Sequence, residues 1–233
     1  MIIIHYVLKI AHRVPAIFVA TALFLLLLGL TVSCLFSFKP LYTIGFERHG
    51  VSAATGITSE GLEEVADAFV AYFRSDDEYI EVIVDVYGAE RAIFSHKEII
   101  HMRDVKELVN GFRNFGGIAL VVLMVYVLAM LYRMRSQAIP ILARRLSRSA
   151  LAIMIAAIVC SVLVAVAFPV LFTIFHLVSF SNDYWLLDPR QDYLVMLFTT
   201  NFFLEATGLL IGLIFLECGF LIGVSYALRL RHR

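Results

Sequence analysis

The sequence is poor in charge. Asp, Glu, Lys and Arg make up 16% of its 233 residues, against roughly 25% in an average soluble chain, while hydrophobic residues reach 61%. A water-soluble globular domain is excluded by that balance. Also missing are a GxSxG nucleophile elbow, an HExxH metalloprotease motif and a glycine-rich phosphate loop. The usual serine-hydrolase, zinc-protease and nucleotide chemistries therefore have no anchor. No basic patch stands on a soluble segment, so nucleic acid is not an expected partner. The three cysteines, Cys34, Cys160 and Cys218, all fall in apolar runs. Their spacing gives neither a disulfide framework nor a zinc cluster, and they are expected to be small buried apolar residues.

What the chain has instead is long apolar runs, near Val14–Phe38, Phe115–Tyr132, Ser149–Phe175 and Phe203–Leu228. A helix needs about 20 residues to cross a bilayer, so four spans are predicted. The charges between them are sorted. Lys9 and Arg13 precede the first run, Arg133, Arg135, Arg144, Arg145 and Arg148 separate the second from the third, and Arg229, Arg231 and Arg233 follow the fourth, with no acid among them. Lys39–Arg113 carries fourteen acids against eight bases, and the segment after the third run carries Asp183, Asp188 and Asp192 against Arg190. The positive-inside rule then puts both termini and the Arg-rich loop in the cytoplasm and the acidic segments outside. The first run is longer than a signal-peptide core, which predicts an uncleaved anchor. The expected organisation is a cytoplasmic N-terminus with the first span (1–38), an extracytoplasmic cap (39–113), and spans two to four (114–233) with a cytoplasmic loop at 133–148 and an interfacial loop at 176–202.

Within the cap, Lys39–Gly56 reads as irregular because of Pro40, Gly45, Gly50 and Gly56. Thr58 or Ser59 opens a helix whose first turns hold Glu60, Glu63 and Glu64, the sign the helix dipole favours. Leu62, Val65, Ala66, Phe69 and Phe73 form its apolar stripe. Tyr79–Val86 alternates, with Ile80, Val82, Val84 and Val86 on one face, as a strand does. A turn at Gly88 and a short return strand over Arg91–Phe94 lead to Ser95 and Glu98, a capping box opening the next helix. The fold class is thus an all-α four-helix transmembrane bundle with a small α+β extracytoplasmic cap between spans one and two. Gly116-Gly117 is a possible hinge, and Pro169 allows a kink near the outer end of span three. Asp188-Pro189 reads as a capped helix start.

Two histidines then stand out. His101 lies one turn beyond Lys97 on the capped helix, and Asp104, a turn further on the same face, could accept its Nδ1–H. His176 follows the third run. Both are predicted at the outer interface, where simple solvation also explains them. Glu217, near mid-membrane in the fourth run, is a functional candidate by cost alone. It is equally explained by hydrogen bonding in a helix interface beside Gly208, Gly212, Gly219 and Gly223 at small-xxx-small spacing.

The stretches FSHKEIIHMRDVKELV and FHLVSFSNDYWLLDPRQDYLVMLF closely resemble the two signatures of the bacterial lipoprotein intramolecular transacylase family, and YTIGFERHG and TGITSEGLEEVADAFVAYF are also similar to it. LFTTNFF departs from a proline-containing form at that position. The resemblance implies a four-span enzyme of the bacterial plasma membrane. Its reaction moves the sn-2 acyl chain of a diacylglyceryl-modified lipoprotein cysteine onto that cysteine's α-amino group, giving the lyso form. It implies His101 and His176 as the catalytic pair, with His101 the first choice of base, His176 the acid or oxyanion stabiliser, and a swap open. Asp104, Lys106, Asn182, Asp183, Trp185, Asp188 and Asp192 of the pattern are retained as supporting residues. The implied partners are membrane lipids and the modified lipoprotein N-terminus, with no cofactor or metal.

The implied chemistry suits the residues. An α-ammonium with a pKa of about 7.7–8.0 must lose a proton to attack, and an imidazole near about 6.5 can take it. Amine and ester share one molecule, so no enzyme nucleophile is needed, in keeping with the missing serine and cysteine motifs. Two readings from other classes stand beside it. One is a non-enzymatic sensor or assembly protein that uses the acidic cap, and the other a metal or haem site on the two histidines.

Overall fold

The computed structural model describes residues 16–231. Lys9, Arg13, the start of the first apolar run and Arg233 lie outside the described residues. The chain is mostly helical: α1 (Ala16–Phe36), α2 (Lys39–Arg48), α3 (Val51–Thr55), α4 (Ser59–Arg74), β1 (Ile83–Val86), β2 (Ala89–Ala92), α5 (His96–Met134), a 3₁₀ turn (Arg135–Gln137), α6 (Ala138–Ser179), α7 (Tyr193–Leu197) and α8 (Thr200–Arg231). Among the described residues three stretches are long and apolar enough to cross a membrane: Ala16–Phe36, His96–Ser179 and Thr200–Arg231. The middle one is 84 residues long and holds both α5 and α6.

Contacts divide the chain into two compact units. The first comprises Phe112–Val162 with the described residues on to Thr31 and from Leu210. Its interior is built of Leu23, Leu27, Ala150, Ile153, Ile214 and Cys218, with a second cluster around Val19, Tyr126 and Met130. Gly29 and Gly116 meet backbone to backbone: a Cβ on Gly29 would lie 2.5 Å from the Phe112 carbonyl oxygen and 3.0 Å from the Gly116 Cα. Gly116 is therefore a close-packing position within an unbroken helix, and the hinge expected there is absent. The glycines of α8 differ, because a Cβ on Gly208, Gly212, Gly219 or Gly223 would meet nothing within 4 Å, so the small-xxx-small seam is not used. Only Cys218 of the three cysteines is buried; Cys34 and Cys160 are on exposed helix faces. Large apolar side chains such as Val166, Leu216 and Phe220 are likewise exposed, as helices surrounded by lipid require.

The second unit comprises Val32–Gly111 and Leu163–Leu209. Its Lys39–Gly56 segment is helical rather than irregular. Pro40 sits in the first turn of α2, where a missing N–H costs nothing, and Gly50 (φ 63°) and Gly56 (φ 75°) supply the left-handed residues that bound α3. Helix α4 starts as expected, the Thr58 hydroxyl accepting the Gly61 N–H, and buries Leu62, Val65, Ala66, Phe69 and Phe73. Ile80, Val82, Val84 and Val86 are all buried, although the strand itself spans only Ile83–Val86. The hairpin pairs Val86 with Ala89 through the turn Tyr87-Gly88, and both turn residues have positive φ, as a two-residue loop of this kind needs. The return strand therefore starts two residues earlier than read. An aromatic cluster of Tyr42, Phe46, Phe69 and Phe198 closes this unit, with Phe69 and Phe198 edge to face at 4.9 Å. Helix α6 bends where Pro169 removes an N–H, and Ala167 leaves helical geometry (φ −134°, ψ 26°).

Candidate active site

Helix α5 starts on its capping box: the Ser95 N–H donates to Glu98 Oε2 at 2.7 Å. The other Glu98 oxygen accepts the Leu194 N–H, also at 2.7 Å, and the side chain is 1% exposed. One carboxylate thus joins the start of α5 to α7. That second partner lies 96 residues away, so the sequence signal for Glu98 revealed only half its role.

One turn further along α5, His101 is 6% exposed and His176, near the end of α6, 8%. Their ring centroids lie 6.0 Å apart. The Nδ1–H of His176 donates to the Phe172 carbonyl oxygen at 2.7 Å. A carbonyl can only accept, so this bond fixes the tautomer and leaves Nε2 with its lone pair. Trp185 lies against the same ring at 5.0 Å, and Phe180 packs edge-on to His101 at 5.0 Å. His101 lies fourteen residues before the second apolar run. Burial, followed by the neighbouring His176, pushes its pKa down to about 4, against a smaller raising effect of Asp104. His101 is therefore neutral at pH 7.

Asp104 does not orient His101. Its carboxylate accepts Asn182 Nδ2–H at 2.8 Å and Arg103 Nη2–H at 3.2 Å, while His101 Nδ1 is buried without a hydrogen-bond partner. Same-face spacing predicts proximity, but a longer-range donor wins the carboxylate. Asn182 also accepts the Tyr184 N–H at 3.1 Å, and Lys97 Nζ donates to the Leu186 carbonyl, so the loop after α6 is fastened to α5 at two points. Lys97, four residues before His101, is a residue the face pattern already contained.

The remaining expected residues divide. Asp183 and Trp185 lie in that same loop. Lys106 turns instead to the Asp77 carbonyl at 2.5 Å and to the Tyr72 ring at 4.1 Å. Asp188 and Asp192 form a local turn, with the Asp188 N–H on Asp192 Oδ2 and the Arg190 N–H on Asp188 Oδ1. Helix α7 accordingly begins at Tyr193 and not at Pro189. Glu217 belongs to the other unit and accepts the Thr31 hydroxyl at 3.1 Å. Among the described residues no cluster of three His, Cys, Asp or Glu is placed to hold a metal ion.

Long apolar helices and a pair of buried imidazoles 6.0 Å apart define a helical protein of membrane type. The chain belongs to the lipoprotein intramolecular transacylase (Lit) family, whose model matches residues 17–203; members of this family are acyl-transferring enzymes. Among solved structures, the membrane integral lipoprotein intramolecular transacylase Lit from Bacillus cereus is similar over 94% of this chain and 95% of its own, with a TM-score of 0.77 at 19% identity. Two variants of that protein, each with one histidine replaced, by arginine or by alanine, match with TM-scores of 0.74 and 0.73, both at 18% identity, over 94% of this chain and 92% and 93% of theirs. Likeness at this identity shows the fold. No curated protein is significantly similar.

Proposed function

We propose that the chain moves the sn-2 acyl group of a diacylglyceryl-modified lipoprotein cysteine to that cysteine's own α-amino nitrogen, with His101 and His176 as its catalytic pair. The observation carrying this reading is the 6.0 Å approach of two buried imidazoles, one of which has its Nδ1–H committed to Phe172. The roles favoured are the swapped ones. His176 Nε2 takes a proton from the amine as nitrogen attacks the ester carbonyl, and a ring N–H of neutral His101 donates to the developing oxyanion. Collapse breaks the carbonyl–oxygen ester bond, and the proton held on His176 goes to the departing glycerol oxygen. An amide and a free hydroxyl result, and both rings return to their starting state.

Holding amine and ester together is the larger contribution, with effective molarities of roughly 10⁵–10⁸ M for well-oriented pairs; proton transfer through His176 adds about 10²–10⁴-fold and the His101 oxyanion donor about 10²–10³-fold. Asp104, Asn182 and Trp185 act as positioning residues that hold the loop against the pair. The site faces the outer leaflet of a bacterial plasma membrane that the chain crosses four times, with both termini cytoplasmic. The sorting of arginines and acids supports that orientation, and the turn at Arg135–Gln137, flanked by arginines, supports two crossings within the middle apolar stretch. The deciding experiment is mass spectrometry of lipoprotein N-terminal peptides from a host expressing this protein. Appearance of the N-acylated, lyso-glyceryl form supports the reading, and unchanged diacylglyceryl peptides overturn it.

A further inference from the structure

The loop that carries Trp185 also forms one side of an open groove. Lys97, Asn182, Asp183, Tyr184 and Leu186 line it, all within the second unit. Its floor is fixed, because both ends of the Asn182 amide are hydrogen-bonded, to Asp104 and to the Tyr184 N–H. Lys97 bonds the Leu186 carbonyl, and an ammonium has three donors, so two remain. The Asp183 carboxylate is exposed and has no hydrogen-bond or ion-pair partner among the described residues.

We infer that this groove holds the peptide main chain following the modified cysteine, Lys97 donating to its carbonyl oxygens and Asp183 accepting from its amide N–H groups. The inference rests on the transacylase reading and names a subsite within it. A simple ion would meet one opposite and one like charge here, whereas a peptide main chain offers acceptors and donors in alternation. The location fits the substrate's covalent layout. Lys97 is one helical turn before His101, and Trp185, between the groove residues Tyr184 and Leu186, lies on His176. When the cysteine nitrogen is at the histidines, its carbonyl and everything beyond must leave beside them. A floor already held in place costs little ordering on binding.

The test uses the full chain in nanodiscs and two synthetic substrates, diacylglyceryl-cysteine methylamide and the same group extended by a short uncharged peptide. Wild type is expected to prefer the extended substrate in kcat/KM by about ten- to a hundredfold, the range of one or two charge-assisted hydrogen bonds. Lys97→Met and Asp183→Asn should each reduce that preference by about tenfold, and Lys97→Arg should keep most of it. Asp183→Asn leaves every hydrogen bond of the loop in place, so it carries the test if Lys97→Met folds poorly. Equal losses on both substrates, or an undiminished preference, would overturn the subsite. A wild type inactive on both would remove the transacylase reading and the subsite with it.

Discussion

Glu98 and Leu194, 96 residues apart, are joined by a 2.7 Å hydrogen bond from the Leu194 N–H to a carboxylate that also caps α5. Removing the acceptor strands two backbone donors, one of them fully buried. Glu98→Gln keeps one acceptor and turns an amide donor toward the other N–H, at a cost of about 1–3 kcal/mol. Glu98→Ala loses both acceptors and should cost more. Thermal unfolding in detergent ranks the variants, and equal midpoints for all three proteins would show that the strap does not stabilise.

The paired histidines should act as a unit. Each of His101→Ala and His176→Ala is expected to lower lyso-form production by about 10²–10⁴-fold, and the double variant should be little worse than the poorer single one. Lipopeptide mass spectrometry at matched protein levels gives the comparison. Multiplying losses would mean separate sites.

The lowered His101 pKa has a stability consequence with a definite sign. Its unfolded value is near 6.5 and its folded value about 4, so between those limits the unfolded chain binds more protons. Stability from this group is full above pH 6.5, falls as pH drops toward 4, and changes no further below that. His101→Gln should flatten the dependence of unfolding temperature on pH in that window. An unchanged slope would assign the effect to other groups.

Glu217 shares its unit with Thr31 and not with the histidines. Glu217→Gln retains an oxygen to accept the Thr31 hydroxyl, so lyso-form production should stay within about twofold of wild type, less than 0.5 kcal/mol of barrier. A large loss of activity in a variant of normal stability would restore a functional role.

Orientation is checked by labelling single cysteines introduced at Ser75 and Gln137. A non-permeant reagent applied to intact cells should reach the first only. The reverse pattern would overturn the sidedness of the proposed site.

Short-range chemistry was legible in the sequence, and long-range competition was not. The Ser95–Glu98 box, the Tyr79–Val86 alternation and the bend near Pro169 are each decided by near neighbours in the chain. The structure has the box, the buried face of Ile80, Val82, Val84 and Val86, and the bend. Lys39–Gly56 reads as irregular because glycine and proline count against helix interiors. Yet Pro40, Gly50 and Gly56 stand at helix ends, and Gly45, inside α2, is where the Phe202 ring packs, with no room for a Cβ. The His101–Asp104 pairing failed because spacing ranks neighbours on one helix and knows nothing of Asn182, which arrives from 78 residues away. The tautomer of His176 depends on a backbone carbonyl four residues earlier, and no side-chain pattern reports that bond.

Asn182 has one more consequence, for how this protein ages. Asparagine is among the thermolabile side chains, and hydrolysis of this amide exchanges its Nδ2 donor for an oxygen. Two carboxylates would then face each other where a 2.8 Å hydrogen bond now holds the loop to Asp104, and like charges so close cannot both stay ionised at little cost. The change leaves the fold's core untouched, yet it removes one of the two points that fasten the loop carrying Trp185. Stored or heated preparations should lose activity in step with deamidation at this one position, so the fastening that orders the loop is also a clock on the enzyme's working life.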